Sequence, residues 1–230
     1  MILVATGLQR EARILAGPTL SVVAGGGDRQ RLEAELERGA AKADGIISIG
    51  LGGALTDGLK PGDWVIVQFG HNDAANSANY PDRTTLKGNG DETQEIESPA
   101  THAKETIHSY GWYLREYVRD AKSKGARVII CSPPPRNTWA GGKIVRGLDG
   151  YAGWAAEAAR QSGALFIDLN TISADKYDAL GEEATRPLFN DNQHSRKAGA
   201  KLNAESVAAG IRGLKDCPLR NDLLESQKGR

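Results

Sequence analysis

Short β-rich runs alternate with helical stretches along nearly the whole chain, and this alternation constrains the fold more than any other feature. Ile2–Ala5, Leu20–Ala24, Gly45–Leu51, Trp64–Phe69, Arg127–Cys131 and Ala164–Leu169 each read as a strand. Between them lie helical patterns at Glu11–Ala16, Arg29–Ala43 and Gly150–Gln161. Asp28 is placed to cap the second of these, with Leu32, Leu36 and Ala40 on one face. Ser98-Pro99 reads as the cap and first residue of a further helix. Its buried stripe would be Ile107, Tyr110, Leu114, Tyr117, Val118 and Ala121, with Gly125 ending it. Ser195 reads as the cap of a last helix that buries Leu202, Val207, Ile211 and Leu214. This order predicts an α/β protein, with a mostly parallel sheet, helices on both faces and a doubly wound layout. We expect one α/β domain over residues 1–215, followed by a polar tail over 216–230. Residues His71 to Ser98 read as a long polar loop.

Composition excludes several classes. Lys and Arg number 29, and so do Asp and Glu, so the net charge is zero and a protein that coats nucleic acid is not expected. No apolar run is long enough to span a bilayer, and no membrane partner is expected. The start MILVATGLQR has neither the basic opening nor the apolar stretch of a signal peptide, so the chain as written is expected in the cytoplasm. Cys131 and Cys217 are lone cysteines without a CxxC, and read as structural thiols rather than zinc ligands or a disulfide. No metal or cofactor is expected. The oligomeric state is left open.

In doubly wound folds, functional groups gather at the carboxyl ends of the strands. That rule points to Thr6–Leu8, Gly25–Gly27, Gly70–Asp73, Pro133–Asn137 and Asp191–His194. An Asp three residues ahead of a His in a loop, as in Asp191 and His194, can hold an imidazole so that it serves as general base for a hydroxyl. The same spacing also occurs as an ordinary Asp–His pair on a surface turn. Asn72, at a strand end, can donate its amide to a developing oxyanion, or Asn72-Asp73 can be a plain turn. His71 and Asp73 read as substrate-lining or as loop residues. Trp139 could stack on a sugar ring or pack in the protein.

Residues Leu59 to Leu219 resemble the SGNH (GDSL-type) hydrolases, and within them the rhamnogalacturonan acetylesterase branch. The resemblance rests on LKPGDWVIVQFGHND, YVRDAKSKGARVIICSPPPRNTW, FIDLNTISADKYDALG and DNQHSRKAGAKLNAESV. It implies a flavodoxin-like, three-layer α/β/α sandwich acting without a metal on O-acetylated, pectin-like carbohydrate. It implies that Asn72 is an oxyanion-hole donor, and that Asp191 and His194 are the acid and base of a Ser-His-Asp triad. Gly26 and Gly70 are candidates for backbone oxyanion donors. Such relatives are often secreted. One departure stands out: the family's nucleophile lies in a Gly-Asp-Ser block after the first strand, and no Gly-Asp-Ser occurs in this chain. Ala5-Thr6-Gly7-Leu8-Gln9 stands there instead. The nearest hydroxyl is Thr6, a poor substitute because a β-branched side chain is stiff at χ1. Little or no esterase turnover is therefore expected.

The first 67 residues resemble something else. MILVATGLQREARILAGP, VVAGGGD and IISIGLGGALTDGLKPGDWVIV look like the start of a purine nucleoside phosphorylase or nucleosidase, close to the hopanoid-associated branch. Glu11 and Gly52-Gly53 match residues that this family uses near its ribose and phosphate. The two resemblances meet at Leu59–Val65, so the chain reads as a chimera, with a phosphorylase-like segment over 1–63 and a hydrolase-like one over 64–215. A nucleoside-processing fragment and a non-catalytic fusion, natural or engineered, are the alternatives to an esterase frame.

Overall fold

A computed structural model describes residues 2–6, 20–24, 34, 35, 38, 45–49, 61–73, 85–97, 102, 104–147 and 150–223. The chain divides into two compact units, Met1–Val67 with Arg115–Ile129, and Gln68–Leu114 with Ile130–Arg230.

The first unit holds strands β1 (Ile2–Thr6), β2 (Leu20–Ala24) and β3 (Gly45–Ile49), in the order β2-β1-β3. Both pairings are parallel: Ile2 stands opposite Leu20 and Gly45, and Thr6 opposite Ala24 and Ile49. β3, the strand expected over 45–51, thus ends this sheet, and it runs alongside β4 (Trp64–Val67). Within β4, Val65 and Val67 are buried while Trp64 and Ile66 are less so, the period of two that one packed face imposes. The expected helix over 11–16 lies outside the described residues. Of the one expected over 29–43, only residues 34, 35 and 38 are described, and they are helical.

Helix α1 (Tyr110–Ser123) and strand β7 (Arg127–Cys131) are divided between the units. Tyr110, Leu114, Val118 and Ala121 recur at spacings of three and four and form the buried stripe of α1. Gly125 then turns the chain at φ 78°, where a Cβ would stand 2.9 Å from the Pro61 Cα, so only glycine fits. The turn before β4 is fastened there: Gly62 N–H donates to Gly125 O at 3.0 Å, and Arg127 N–H to Asp63 O at 2.8 Å.

The second unit contains the antiparallel hairpin β5 (Thr93–Glu97) and β6 (Lys104–His108), with Thr93 opposite His108 and Glu97 opposite Lys104. This corrects two expectations. The stretch over 71–98 is not all loop, because it contains β5 and a bridge from Leu86 to Ser109. The helix does not start after Ser98-Pro99; residues 104–108 are strand and Ile107 is buried on it. Four of the five β5 residues are exposed, so the strand buries no apolar face and leaves no alternation to read.

The rest of this unit is built around the end of β7 and its neighbour β10 (Leu165–Ile167). The short hairpin β8 (Trp139–Ala140) and β9 (Lys143–Ile144) follows β7. Helix α2 (Tyr151–Ser162) buries Tyr151, Ala155, Ala158 and Ala159, a stripe at i, i+4, i+7 and i+8. Helix α3 (Leu169–Leu180), which strand and turn patterns did not reveal, is capped by Asp168, whose carboxylate accepts from Thr171 N–H at 3.1 Å. The short α4 (Glu182–Thr185) and a 3₁₀ turn over Arg186–Leu188 lead to α5 (Lys197–Gly213). Ser195 does not cap α5. The cap position is Arg196, with no side-chain bond, because Ser195 instead bridges Phe189 and closes a tight loop. Cys131 and Cys217 are free and buried, as expected of structural thiols, and burial pushes the Cys131 thiol up to about 12. Within the expected polar tail, Cys217 is packed away and Pro218–Asn221 form a 3₁₀ turn. A small apolar thiol has more to gain from burial than its polar flanks suggest.

Candidate active site

Three loops of the second unit converge: residues 68–73, residues 132–137 after β7, and residues 189–195 before α5. The last is a closed loop, in which Asn190 N–H donates to His194 O at 2.7 Å below the Phe189–Ser195 bridge. Asp191 is gripped within it. Its Oδ1 accepts from the backbone N–H groups of Gln193 and His194, each at 2.7 Å, and its Oδ2 meets His194 Nδ1 at 2.7 Å. The two backbone N–H groups, followed by the imidazole, hold the Asp191 carboxyl down at about 2. A carboxylate only accepts, so the His194 proton sits on Nδ1 and Nε2 is left as the basic nitrogen. Both side chains are largely exposed, which leaves Nε2 accessible. The sign of the pH effect follows: the contribution of this carboxylate is fully present above the ordinary Asp range, near 4, and is lost as pH falls through about 2.

The 68–73 loop is fixed from beneath by two tyrosines. Tyr110 Oη donates to Phe69 O at 2.9 Å and Tyr151 Oη to Asp73 O at 2.7 Å. Gly70, at φ 127°, lies against Pro133, whose Cγ would be 2.8 Å from any Cβ placed there. A side chain at Gly70 would therefore separate this loop from the 132–137 loop. Burial raises the Asp73 carboxyl above its ordinary range. Asn72 is exposed at the tip, and its Oδ1 accepts from Gln193 Nε2 at 3.3 Å. With Oδ1 engaged, the Nδ2 hydrogens are the donors left to this side chain.

His71 bridges to the 132–137 loop. Its Nε2 meets Pro134 O at 2.8 Å, and Arg136 Nη2 donates to His71 O at 2.7 Å. Burial, with smaller effects of the Arg136 and His194 charges and against the pull of the Pro134 bond, lowers the His71 imidazole to about 4. The unfolded chain therefore takes up a proton near 6.5 that the folded one refuses until about 4. Stability is expected to fall as pH drops from 6.5 to 4, and His71→Gln should flatten that slope; urea unfolding at a series of pH values measures it. The 132–137 and 189–195 loops are joined by Asn137 N–H donating to Asn192 O at 2.8 Å. Below them, Asn170 Nδ2 donates to Pro133 O at 2.7 Å and holds the proline run in place.

Of the sequence candidates, Asn72, His71, Asp73, Gly70, Asp191 and His194 thus lie on interlocked loops. Trp139 stands on β8, packed against the cluster of Ile144, Ala174, Tyr177 and Phe189, with its Nε1 donating to Asn137 Oδ1 at 2.9 Å. Thr6 is the last residue of β1, in the other unit. Gly26, Glu11 and Gly52-Gly53 lie outside the described residues. Sequence reading did not single out Arg136, Gln193 or Tyr151, and named Tyr110 only as part of a buried stripe. Arg136 falls within a strand-end segment already marked, but nothing in its spacing signals a backbone contact. The described residues hold no group of three or more His, Cys, Asp or Glu placed for a metal, and no described helix is long and apolar enough to cross a membrane.

The model of the GDSL-like Lipase/Acylhydrolase family matches residues 11–202. The chain belongs to this family. The match begins well before the Leu59–Val65 junction and runs through it. Among this GDSL-like protein's relatives, a rhamnogalacturonan acetylesterase of Emericella nidulans is 31% identical over 176 residues, covering 74% of this chain and 71% of the relative. A probable rhamnogalacturonan acetylesterase of Bacillus subtilis is 29% identical over 180 residues, covering 76% and 73%. The solved structure of the Bacillus subtilis protein YxiM superimposes with a TM-score of 0.53 at 20% identity, covering 92% of this chain. The chain spans 56% of that protein's length. A variant of an acetyl xylan esterase of Geobacillus stearothermophilus gives 0.50 at 16% identity, covering 91% and 93%. These likenesses agree on an α/β fold with a parallel sheet and flanking helices.

Proposed function

We propose that the chain is a carbohydrate O-acetylesterase frame of the rhamnogalacturonan acetylesterase type that lacks its serine nucleophile. The observation that carries the reading is the Asp191–His194 pair at 2.7 Å, linked through Gln193 to Asn72. In this reading, Asp191 fixes the His194 tautomer and stabilises the imidazolium. His194 Nε2 takes the proton of a hydroxyl nucleophile and returns it to the leaving sugar oxygen. Asn72 Nδ2, with Gly70 N–H as a backbone candidate, stabilises the tetrahedral oxyanion. His71 and Asp73 line the substrate, and the substrate class is acetylated, pectin-like saccharide.

The reading includes the first 67 residues as a phosphorylase-like segment standing where the family's Gly-Asp-Ser block belongs. Nucleoside cleavage draws no support from the described residues. The test pairs turnover with binding. Hydrolysis of p-nitrophenyl acetate is expected at background, while acetylated rhamnogalacturonan oligosaccharides bind saturably in isothermal titration. Full esterase turnover, or no saccharide binding, would overturn the reading.

A further inference from the structure

We propose that His71 is a specificity-determining residue whose Nδ1 accepts a hydrogen bond from a free sugar hydroxyl next to the acetylated one. The inference rests on the acetylesterase reading and names what that site selects. A neutral imidazole donates from one nitrogen and accepts at the other. The Pro134 carbonyl, 2.8 Å from Nε2, can only accept, so it fixes the proton on Nε2 and leaves Nδ1 as an acceptor. Among the described residues Nδ1 meets no donor, and it is not one of the buried side-chain atoms left without a partner. In the proposal this is the nitrogen that meets the ligand.

The ring cannot easily change this role. Arg136 Nη2 clamps the His71 carbonyl at 2.7 Å, and the Pro134 bond clamps the ring, so backbone and side chain are both held. The charged and titratable groups that act on the imidazole are Arg136 and His194, and both oppose a positive charge there. Burial acts in the same direction, so the acceptor persists at neutral pH. Asn72, the candidate oxyanion donor, follows His71 in the chain and reaches the 189–195 loop through Gln193. An acetyl ester carries no hydrogen-bond donor, whereas a free sugar hydroxyl does. A site that presents an acceptor thus favours a saccharide with a free hydroxyl beside the ester over a fully acetylated one.

The test titrates the full chain with mono-O-acetylated and with fully acetylated rhamnogalacturonan oligosaccharides, alongside ¹⁵N spectra of the histidine side chains. At pH 7 the His71 signals should show a protonated Nε2 and an unprotonated Nδ1, and Nδ1 should shift when the mono-acetylated ligand binds. His71→Phe should weaken binding of the mono-acetylated ligand by about tenfold more than it weakens binding of the fully acetylated one. His71→Gln, which can donate to Pro134 O and still accept, should recover most of the loss. A proton on Nδ1, or an equal loss for both ligands, would overturn the inference and leave the acetylesterase reading standing. Absence of saturable binding by the parent would overturn both.

Discussion

Esterase turnover is expected to rise by at least about 10³-fold when the double substitution Leu8→Asp with Gln9→Ser writes Gly-Asp-Ser directly after β1. The size follows from how a triad works: without its nucleophile it retains only the modest rate that oxyanion stabilisation and binding supply. In the proposed frame Asp191 and His194 are the acid–base half; Asp191 accepts three hydrogen bonds and orients His194 through one of them. Adding His194→Ala to the double variant should return turnover to background, and Asp191→Asn should lower it by several orders of magnitude through the wrong tautomer. p-Nitrophenyl acetate hydrolysis reports these variants, the parent and the parent's own His194→Ala. Turnover in the parent that disappears with His194→Ala would mean that another hydroxyl serves, Thr6 first among them. An unchanged rate in the double variant, with its fold intact, would count against the proposed frame.

Some of this protein could be read from its residues and some could not, and the division is physical. β1, β2 and β7 bury apolar side chains or stand in parallel pairings, and their β-branched runs announce them. The hairpin β5–β6 was hidden because its end pairs, Thr93 with His108 and Glu97 with Lys104, are polar and four of the five β5 residues are exposed. Ser98-Pro99 imitates a helix start, yet pairing between two strands outweighs a capping signal that has no apolar face behind it. The Asp191–His194 hydrogen bond was legible because its partners stand three residues apart in one loop. Arg136 and Asn170 were not, because each acts by bonding backbone far away in sequence, at His71 and at Pro133. Nothing in a linear pattern encodes such a partner.

Of the two tyrosines under the 68–73 loop, Tyr151 should be costly to replace. Tyr151 is fully buried, its ring meets Tyr110 and Trp154 edge-on at 4.9 Å each, and its hydroxyl donates to Asp73 O at 2.7 Å. Tyr151→Ala removes a whole aromatic side chain from a packed interior and leaves a cavity, so a loss of about 3–5 kcal/mol is expected in urea unfolding. Tyr151→Phe keeps the ring and removes only the bond to the loop, for a loss of about 1 kcal/mol. The two variants separate packing from positioning. If the hydroxyl matters mainly by holding Asp73, Tyr151→Phe should raise amide exchange across residues 70–73 far more than it lowers global stability. Local exchange that follows global stability in both variants would show that the ring alone supports the loop. The site would then depend on the hydrophobic floor built by α1 and α2, with the Asp73 bond following from that packing rather than setting the position of Asn72.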